Sequence, residues 1–431
     1  MNRVLDIWWD GRLVGRLRQP RPAALEFAYA EDWLRDDRAP ALSASLPRRA
    51  EPYPRRECRP FFAGLLPEEI QRDRVARSLG VSPLNDFALL DRLGGDVAGA
   101  LQLLSPGESP TDLESDYSPQ PLDDAALIEV LDKLPWRPLL AGEAGLRLSL
   151  AGAQSKLPVV TVDGRIALPA PGQPTTHILK PAIPDFPHTT ENEAFAMRLA
   201  RSVGLDVASV EPRRVGDRTF LLVARYDRST GPDGRVRRVH QEDFCQALGI
   251  PPEVKYAGEG GPGLKDGFEL LRRVALRPAV DVLKLLDATI FNLIVGNADA
   301  HGKNFSLLYD TARPRLAPLY DLVMTAAYPE LATALAMPLG GCGRLADMDA
   351  RHWVAFAEET TVGLPLIRRR VAELGESVIR KARDVAEELS IPGLDSEALS
   401  RFRRTVTARA ERCMASTAAG ADRLSGKSTG S

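Results

Sequence analysis

An apolar segment with helical periodicity, Val282 to Val295, runs directly into Gly296-Asn-Ala-Asp-Ala-His-Gly-Lys-Asn-Phe305. This junction restricts the fold more tightly than any other stretch. The periodic segment reads as a buried helix, and Gly296 and Asn297 supply its stop signals. Beyond it, Phe305 to Tyr309 and Leu316 to Tyr320 read as two short strands joined by the turn-rich Asp310-Thr-Ala-Arg-Pro314. Pairing them as a hairpin makes Asn304 and Asp321 neighbours at one end of a two-stranded ribbon. Asp299 then lies close by on the preceding loop.

Two carboxylates and an amide gathered on a loop after a buried helix suit a magnesium–nucleotide site. Oxygen ligands match Mg²⁺, and a separate carboxylate can accept a hydroxyl proton. The spacing from Asp299 to Asn304 equals that of the protein-kinase catalytic loop HRDxxxxN, and Asp321 stands where the metal-binding Asp of DFG would. Neither HRD nor DFG is spelled out; the chain has Asn-Ala-Asp and Tyr-Asp-Leu. The plainer alternative is a polar turn closing a helix, with Asp299 as an Asx-turn residue.

The chain has 431 residues, room for two or three domains. With 44% hydrophobic and 26% charged residues it reads as globular, and a net charge of −2 gives no overall pull toward nucleic acid. No apolar run suits a membrane span, and the strand-like N-terminus is unlike a signal peptide. Cysteines 58, 245, 342 and 413 form no CxxC, which argues against zinc and fits reduced thiols in the cytoplasm.

Residues 1–104 read as a module of their own. Val4–Trp9 and Arg12–Leu17 form a hairpin through Asp10-Gly11, a pair that tolerates the positive φ of a type I′ turn. A third strand at 25–29, an arginine-rich loop, and helices at 68–79 and 84–92 follow. Residues 105–121 are a Pro/Ser/Asp/Gly-rich linker. In Arg147-Leu-Ser-Leu-Ala-Gly-Ala-Gln-Ser-Lys-Leu157, small residues would let backbone N–H groups approach phosphate. A tight hairpin needs the same composition and is the preferred reading of the residues alone. The strand Thr175–Pro181 ends with Lys180, as the nucleotide lysine of a kinase strand does. Glu193, on the next helix at 191–203, is a candidate partner for Lys180, or else closes a capping box with Thr190. Thr219–Arg228 reads as a buried strand leading to a hinge whose backbone could meet an adenine edge. A helix begins within 239–249, the glycines of 258–267 mark a turn-rich loop, and beyond Asp321 the chain reads as nearly all helical, at 347–360, 364–388 and 395–414. Residues 416–431 read as a flexible tail. Arginines at 368–370, 380, 383, 401, 403, 404, 409 and 412 are solvated helix faces or phosphate contacts.

Taken together, Arg147–Lys156, Thr176-His-Ile-Leu-Lys180, Gln241-Glu-Asp-Phe-Cys245, Lys255-Tyr256, Gly260-Gly-Pro-Gly263, Asp299–Ser306 and Pro318-Leu-Tyr-Asp321 resemble the HipA family of serine/threonine kinases. These are the toxin halves of type II toxin–antitoxin pairs. Trp9–Gly15, Leu42-Ser-Ala-Ser-Leu-Pro47 and Phe61–Pro67 extend the resemblance through the N-terminal module.

The resemblance implies an α+β fold. A bilobal protein-kinase-like core would have its small lobe at 122–226 and a mostly helical large lobe at 227–415. It implies Asp299 as general base, and Asn304 and Asp321 as Mg²⁺ ligands. Lys180 would pair the ATP phosphates, steadied by Glu193. Ala151, Gly152, Ala153, Gln154, Ser155 and Lys156 would form the phosphate loop, with His301, Gly302, Lys303 and Tyr320 also lining the nucleotide. The backbone of Ala224, Arg225 and Tyr226 would hold adenine; a family glutamate is replaced here by Ala224. Ser149 would be a regulatory autophosphorylation site. The implied target is an active-site serine of an aminoacyl-tRNA synthetase, the glutamyl enzyme first. The implied partner is a HipB-like helix-turn-helix antitoxin, with operator DNA bound through it. A small-molecule kinase and a non-catalytic antitoxin- and DNA-binding module are the alternatives.

Overall fold

A computed structural model describes residues 3–110, 119–143, 146–311, 313–331, 333–390 and 392–418. The linker at 105–121 lies partly, and residues 419–431 of the tail wholly, outside the described residues. The chain forms two compact units that interleave in sequence: Met1–Ile183, Ser209–Val254 and Ser306–Ala317 make the first, and Pro184–Ala208, Lys255–Phe305 and Pro318–Ser431 the second. The linear boundaries at 122–226 and 227–415 do not coincide with them.

In the first unit, one antiparallel sheet runs Tyr53–Pro54, Glu26–Tyr29, Arg12–Gln19, Arg3–Trp9, Leu101–Leu104. Its hairpin turns at Asp10 (φ 49°) and Gly11 (φ 71°), the two positive values that a type I′ turn requires. Alternation buries Leu5, Ile7, Val14, Leu17 and Phe27 against Phe61, Phe62 and Leu66. The arginine-rich stretch is in part helical, not loop: Arg55–Ala63 is a helix that places Cys58, Phe61 and Phe62 in the core, with Arg55 and Arg56 exposed and Arg59 paired with buried Asp86. A second antiparallel sheet runs Arg165–Ala167, Leu157–Val162, His177–Pro181, Arg218–Ala224, Val210–Val215. The helix expected within 239–249 is Phe244–Leu248, capped by Asp243, and the residues before it, His240–Asp243, form a strand that pairs with Ser306–Tyr309, whose other neighbour is Arg315–Leu316. That strand's partner is remote in sequence, so local pattern could not announce it.

The second unit is mainly helical, with helices Thr189–Ser202, Leu264–Val274, Pro278–Val295, Ala350–Thr360, Leu364–Glu388 and Ser396–Ala418. From Leu285 to Val295 every residue of the 278–295 helix is buried, as the apolar run requires. Two expectations change here. The stretch after Asp321 also contains a β-hairpin, Ala334–Leu339 with Cys342–Arg344. Ser416 belongs to the last helix, where its Oγ accepts a 2.8 Å bond from Trp353 Nε1. The four cysteines are free and buried. Among the described residues, no helix is long and apolar enough to cross a membrane.

Candidate functional site

The segment carrying Ser149 is not a hairpin. Leu148 makes only an isolated bridge, to Asp96, and Gly152 another, to Pro67. The 149–156 loop is therefore fastened to the N-terminal module. The Ser149 N–H donates to the Asp96 carbonyl (2.9 Å), Ser149 Oγ to the Leu65 carbonyl (2.7 Å), and Ser155 Oγ to Gln71 Oε1 (3.3 Å). Gly152 has φ +113°, and a Cβ there would lie 2.5 Å from Lys156 Nζ. The φ value favours glycine, while the Lys156 side chain could move aside for a Cβ. Lys156 Nζ folds back to the Ala151 carbonyl at 2.8 Å, closing the loop on itself, and Gln154 Nε2 reaches the Pro181 carbonyl at 3.5 Å. Ala153 completes the run of small residues. Lys180 is buried near the end of its strand, opposite Leu221.

At the segment expected to be the hinge, the Ala224 N–H donates to the Ser209 carbonyl (2.8 Å) and the Arg225 N–H to the Thr176 carbonyl (3.0 Å). Those two donors are engaged within the protein. The Arg225 side chain turns into a buried ionic network that local sequence gave no sign of. It contacts Asp227 at 2.7 and 2.9 Å, Thr175 Oγ1 at 2.9 Å and Asp96 at 3.2 Å. Arg228 and Arg238 add contacts to the second Asp96 oxygen at 2.9 and 2.8 Å. Burial alone would raise the Asp96 carboxyl; Arg228, Arg238, Arg225 and the Thr175 hydroxyl outweigh it and hold it well below the usual carboxylate range. The Tyr226 hydroxyl donates to Gln241 Oε1.

In the second unit, the 278–295 helix ends at Gly296 (φ 76°), whose N–H caps the Asn292 and Leu293 carbonyls. Arg409, from the last helix, donates to the Leu293 (2.7 Å) and Ile294 (3.2 Å) carbonyls, so this arginine is not part of a solvated face. Burial and the nearby Arg412 lower its guanidinium to about 10. Thr325 Oγ1 donates to the Gly296 carbonyl (3.0 Å) and accepts from the Ala298 N–H (2.8 Å). Asn297 Oδ1 takes the Asp299 N–H at 3.2 Å, and the Asp299 carbonyl takes the His301 N–H at 2.8 Å. Helix end, Asx turn and cross-links thus fix the loop's backbone.

Asp299 itself is exposed, whereas His301, Gly302, Lys303 and Asn304 are buried. Tyr256 donates its hydroxyl to Asp299 Oδ1 at 3.1 Å and meets His301 edge-on, ring centroids 5.3 Å apart. The Tyr320 hydroxyl donates to the Lys303 carbonyl at 2.6 Å, joining the residue before Asn304 to the residue before Asp321. Asp321 has φ 58°, in the left-handed region that Asp tolerates better than most residues. Asn192 fastens the following turn, accepting the Met324 N–H at 2.7 Å. Asn304 and Asp321 offer the hard oxygen donors that suit Mg²⁺, an ion that keeps waters and substrate phosphates in its remaining positions. Among the described residues, no group of three or more His, Cys, Asp or Glu side chains is placed to hold a metal by itself. Glu193 is buried on the Thr189–Ser202 helix. That helix begins after His188 in the left-handed region with no side-chain cap, so the capping box with Thr190 does not form.

The sequence offered no role for Asp96, Thr325 or Asn192, and a different one for Arg409. Each acts on a partner far away in the chain, so only the fold reveals it.

Comparison with known proteins places these features in one family. The HipA N-terminal domain matches residues 5–104 and the HipA-like C-terminal domain residues 148–386. The protein Y4mE of Sinorhizobium fredii is 62% identical, covering 95% of this chain and 98% of its own. The serine/threonine-protein kinase toxin HipA of Shewanella oneidensis is 31% identical over 82% of this chain and 83% of its own. The solved structure of Shewanella oneidensis HipA with HipB and its operator DNA superposes with a TM-score of 0.85 at 27% identity, covering 97% of this chain and 99% of that one. The chain belongs to the HipA family of kinase toxins.

Proposed function

We propose that this protein is a serine/threonine protein kinase that uses ATP and Mg²⁺ to phosphorylate an active-site serine of an aminoacyl-tRNA synthetase, the glutamyl enzyme first. Blocking tRNA charging would arrest growth from within the cytoplasm. The observation that carries the reading is the exposed Asp299 carboxylate on a loop otherwise buried and cross-linked. A rigid loop presenting a solvent-exposed carboxylate is what proton removal from a hydroxyl requires.

In this reading Asp299 takes the serine proton as the serine oxygen bonds to the γ-phosphorus and the bond to the ADP oxygen breaks. Asn304 and Asp321 would hold Mg²⁺, which when bound neutralises charge on the β- and γ-phosphates. Lys180 would bind the α- and β-phosphates, with Glu193 in support. The 151–156 loop, His301, Gly302, Lys303 and Tyr320 would line the nucleotide, and the 224–226 segment would lie along adenine. Ser149 would be the autophosphorylation site and off switch. Its burial under the Leu65 carbonyl means that the loop must leave its seat before the hydroxyl can react. A phosphate there, carrying about two negative charges, could not return to that seat. By analogy with the Shewanella assembly, a HipB-like antitoxin would be the partner, with operator DNA bound through it.

The test is incubation with Mg-ATP and purified aminoacyl-tRNA synthetases, each with and without its tRNA, followed by phosphopeptide mass spectrometry. One phosphorylated synthetase serine is expected, along with phosphate on Ser149. Phosphate on Ser149 alone would reject the synthetase as target. No phosphate on any protein would reject the kinase reading in favour of a binding module.

A further inference from the structure

Tyr256 touches the proposed base and has no part in the phosphoryl transfer described so far. The Tyr256 hydroxyl donates to Asp299 Oδ1 at 3.1 Å, and its ring packs edge-on against His301 with an interplanar angle of 78°. Its main chain is held as firmly. The Tyr256 carbonyl accepts the N–H groups of Glu259 (3.0 Å) and Gly261 (2.9 Å), so the glycine-rich turn folds back on this residue. Lys255 Nζ lies 5.4 Å from the ring centroid.

We propose that Tyr256 is a positioning residue for phosphoryl transfer, holding the Asp299 carboxylate in the orientation from which it accepts the substrate proton. The inference rests on the reading of Asp299 as the base. An exposed aspartate on a short side chain has several rotamers of similar energy. A fixed phenol bonded to one oxygen selects among them and leaves the carboxylate directed for the incoming hydroxyl.

Phosphoryl transfer from Mg-ATP to myelin basic protein, a general acceptor, would be measured for wild type, Tyr256→Phe and Asp299→Asn. In parallel, tyrosine ring carbons would be labelled for NMR. With only 8 tyrosines in the chain, the Tyr256 signal is identified by its loss in Tyr256→Phe. The expected results are a fall in kcat of about tenfold in Tyr256→Phe, the loss of one hydrogen bond to a charged group. KM for ATP should stay unchanged. The Tyr256 ring signal should shift in Asp299→Asn. Unchanged kcat in Tyr256→Phe, with wild type active, would overturn the proposal while leaving the kinase reading intact. So would a Tyr256 signal indifferent to Asp299→Asn. An inactive wild type with a responsive Tyr256 signal would instead overturn the base assignment, and the positioning role with it.

Discussion

Single side chains decide how this protein responds to pH. Glu242 is fully buried in the first unit, where it accepts from the Ser43 hydroxyl, the Ala44 N–H (3.0 Å) and the Tyr309 hydroxyl. Burial outweighs these donors and raises its carboxyl from 4.5 to about 7. A carboxyl raised on folding binds its proton more tightly in the native state. Its contribution to stability is therefore complete below the unfolded value of 4.5 and is lost as pH rises through about 7. Glu242→Gln should remove on the order of 3 kcal/mol of pH dependence across that window. Urea denaturation at a series of pH values checks it; an unchanged slope would mean that Glu242 is ionised in the native state. Residue identity alone hid this behaviour, since Gln241-Glu-Asp-Phe-Cys245 reads equally well as a solvated helix start. By contrast, the Asp299-to-Asn304 spacing could be read directly, because the loop's backbone is set by its neighbours: the helix end at Gly296 and the Asx turn at Asn297.

Among elements, the sequence was most legible where structure is local. Asp10-Gly11 specifies its hairpin, and the apolar period of 282–295 specifies its helix. The segment 149–156 was misread because its small residues serve a tight hairpin and a phosphate loop equally. Its conformation is decided by Leu65, Pro67, Gln71 and Asp96, distant residues of the N-terminal module. Asp96 is the centre of that junction, bonding the 225–238 segment through its carboxylate and the 147–149 segment through its backbone. Asp96→Ala would leave buried Arg225 and Arg228 facing a cavity where their counter-charge was. The expected loss is about 3–5 kcal/mol, the usual effect of deleting one partner of a buried ion pair. A fall in the urea midpoint measures it, and a loss below about 1 kcal/mol, typical of exposed pairs, would show that Asp227 alone suffices.

At the scale of the whole molecule, the α+β class and the family were legible from the ordered set of motifs, while the division into units was not. The chain leaves and re-enters each unit, and composition carries no mark of those crossings. The candidate residues are divided between the two units. The candidate phosphate loop, lysine and hinge belong to the first unit; Asp299, Asn304 and Asp321 belong to the second, with Thr325 and Arg409 holding the loop end. The account stands or falls on the exposed carboxylate of that loop. Phosphoryl transfer from Mg-ATP should therefore be compared in wild type and Asp299→Asn, with nucleotide affinity measured on the same samples. The account predicts a rate loss of about a hundredfold or more, as for removal of a general base, with ATP binding retained. Wild-type turnover in Asp299→Asn would contradict it.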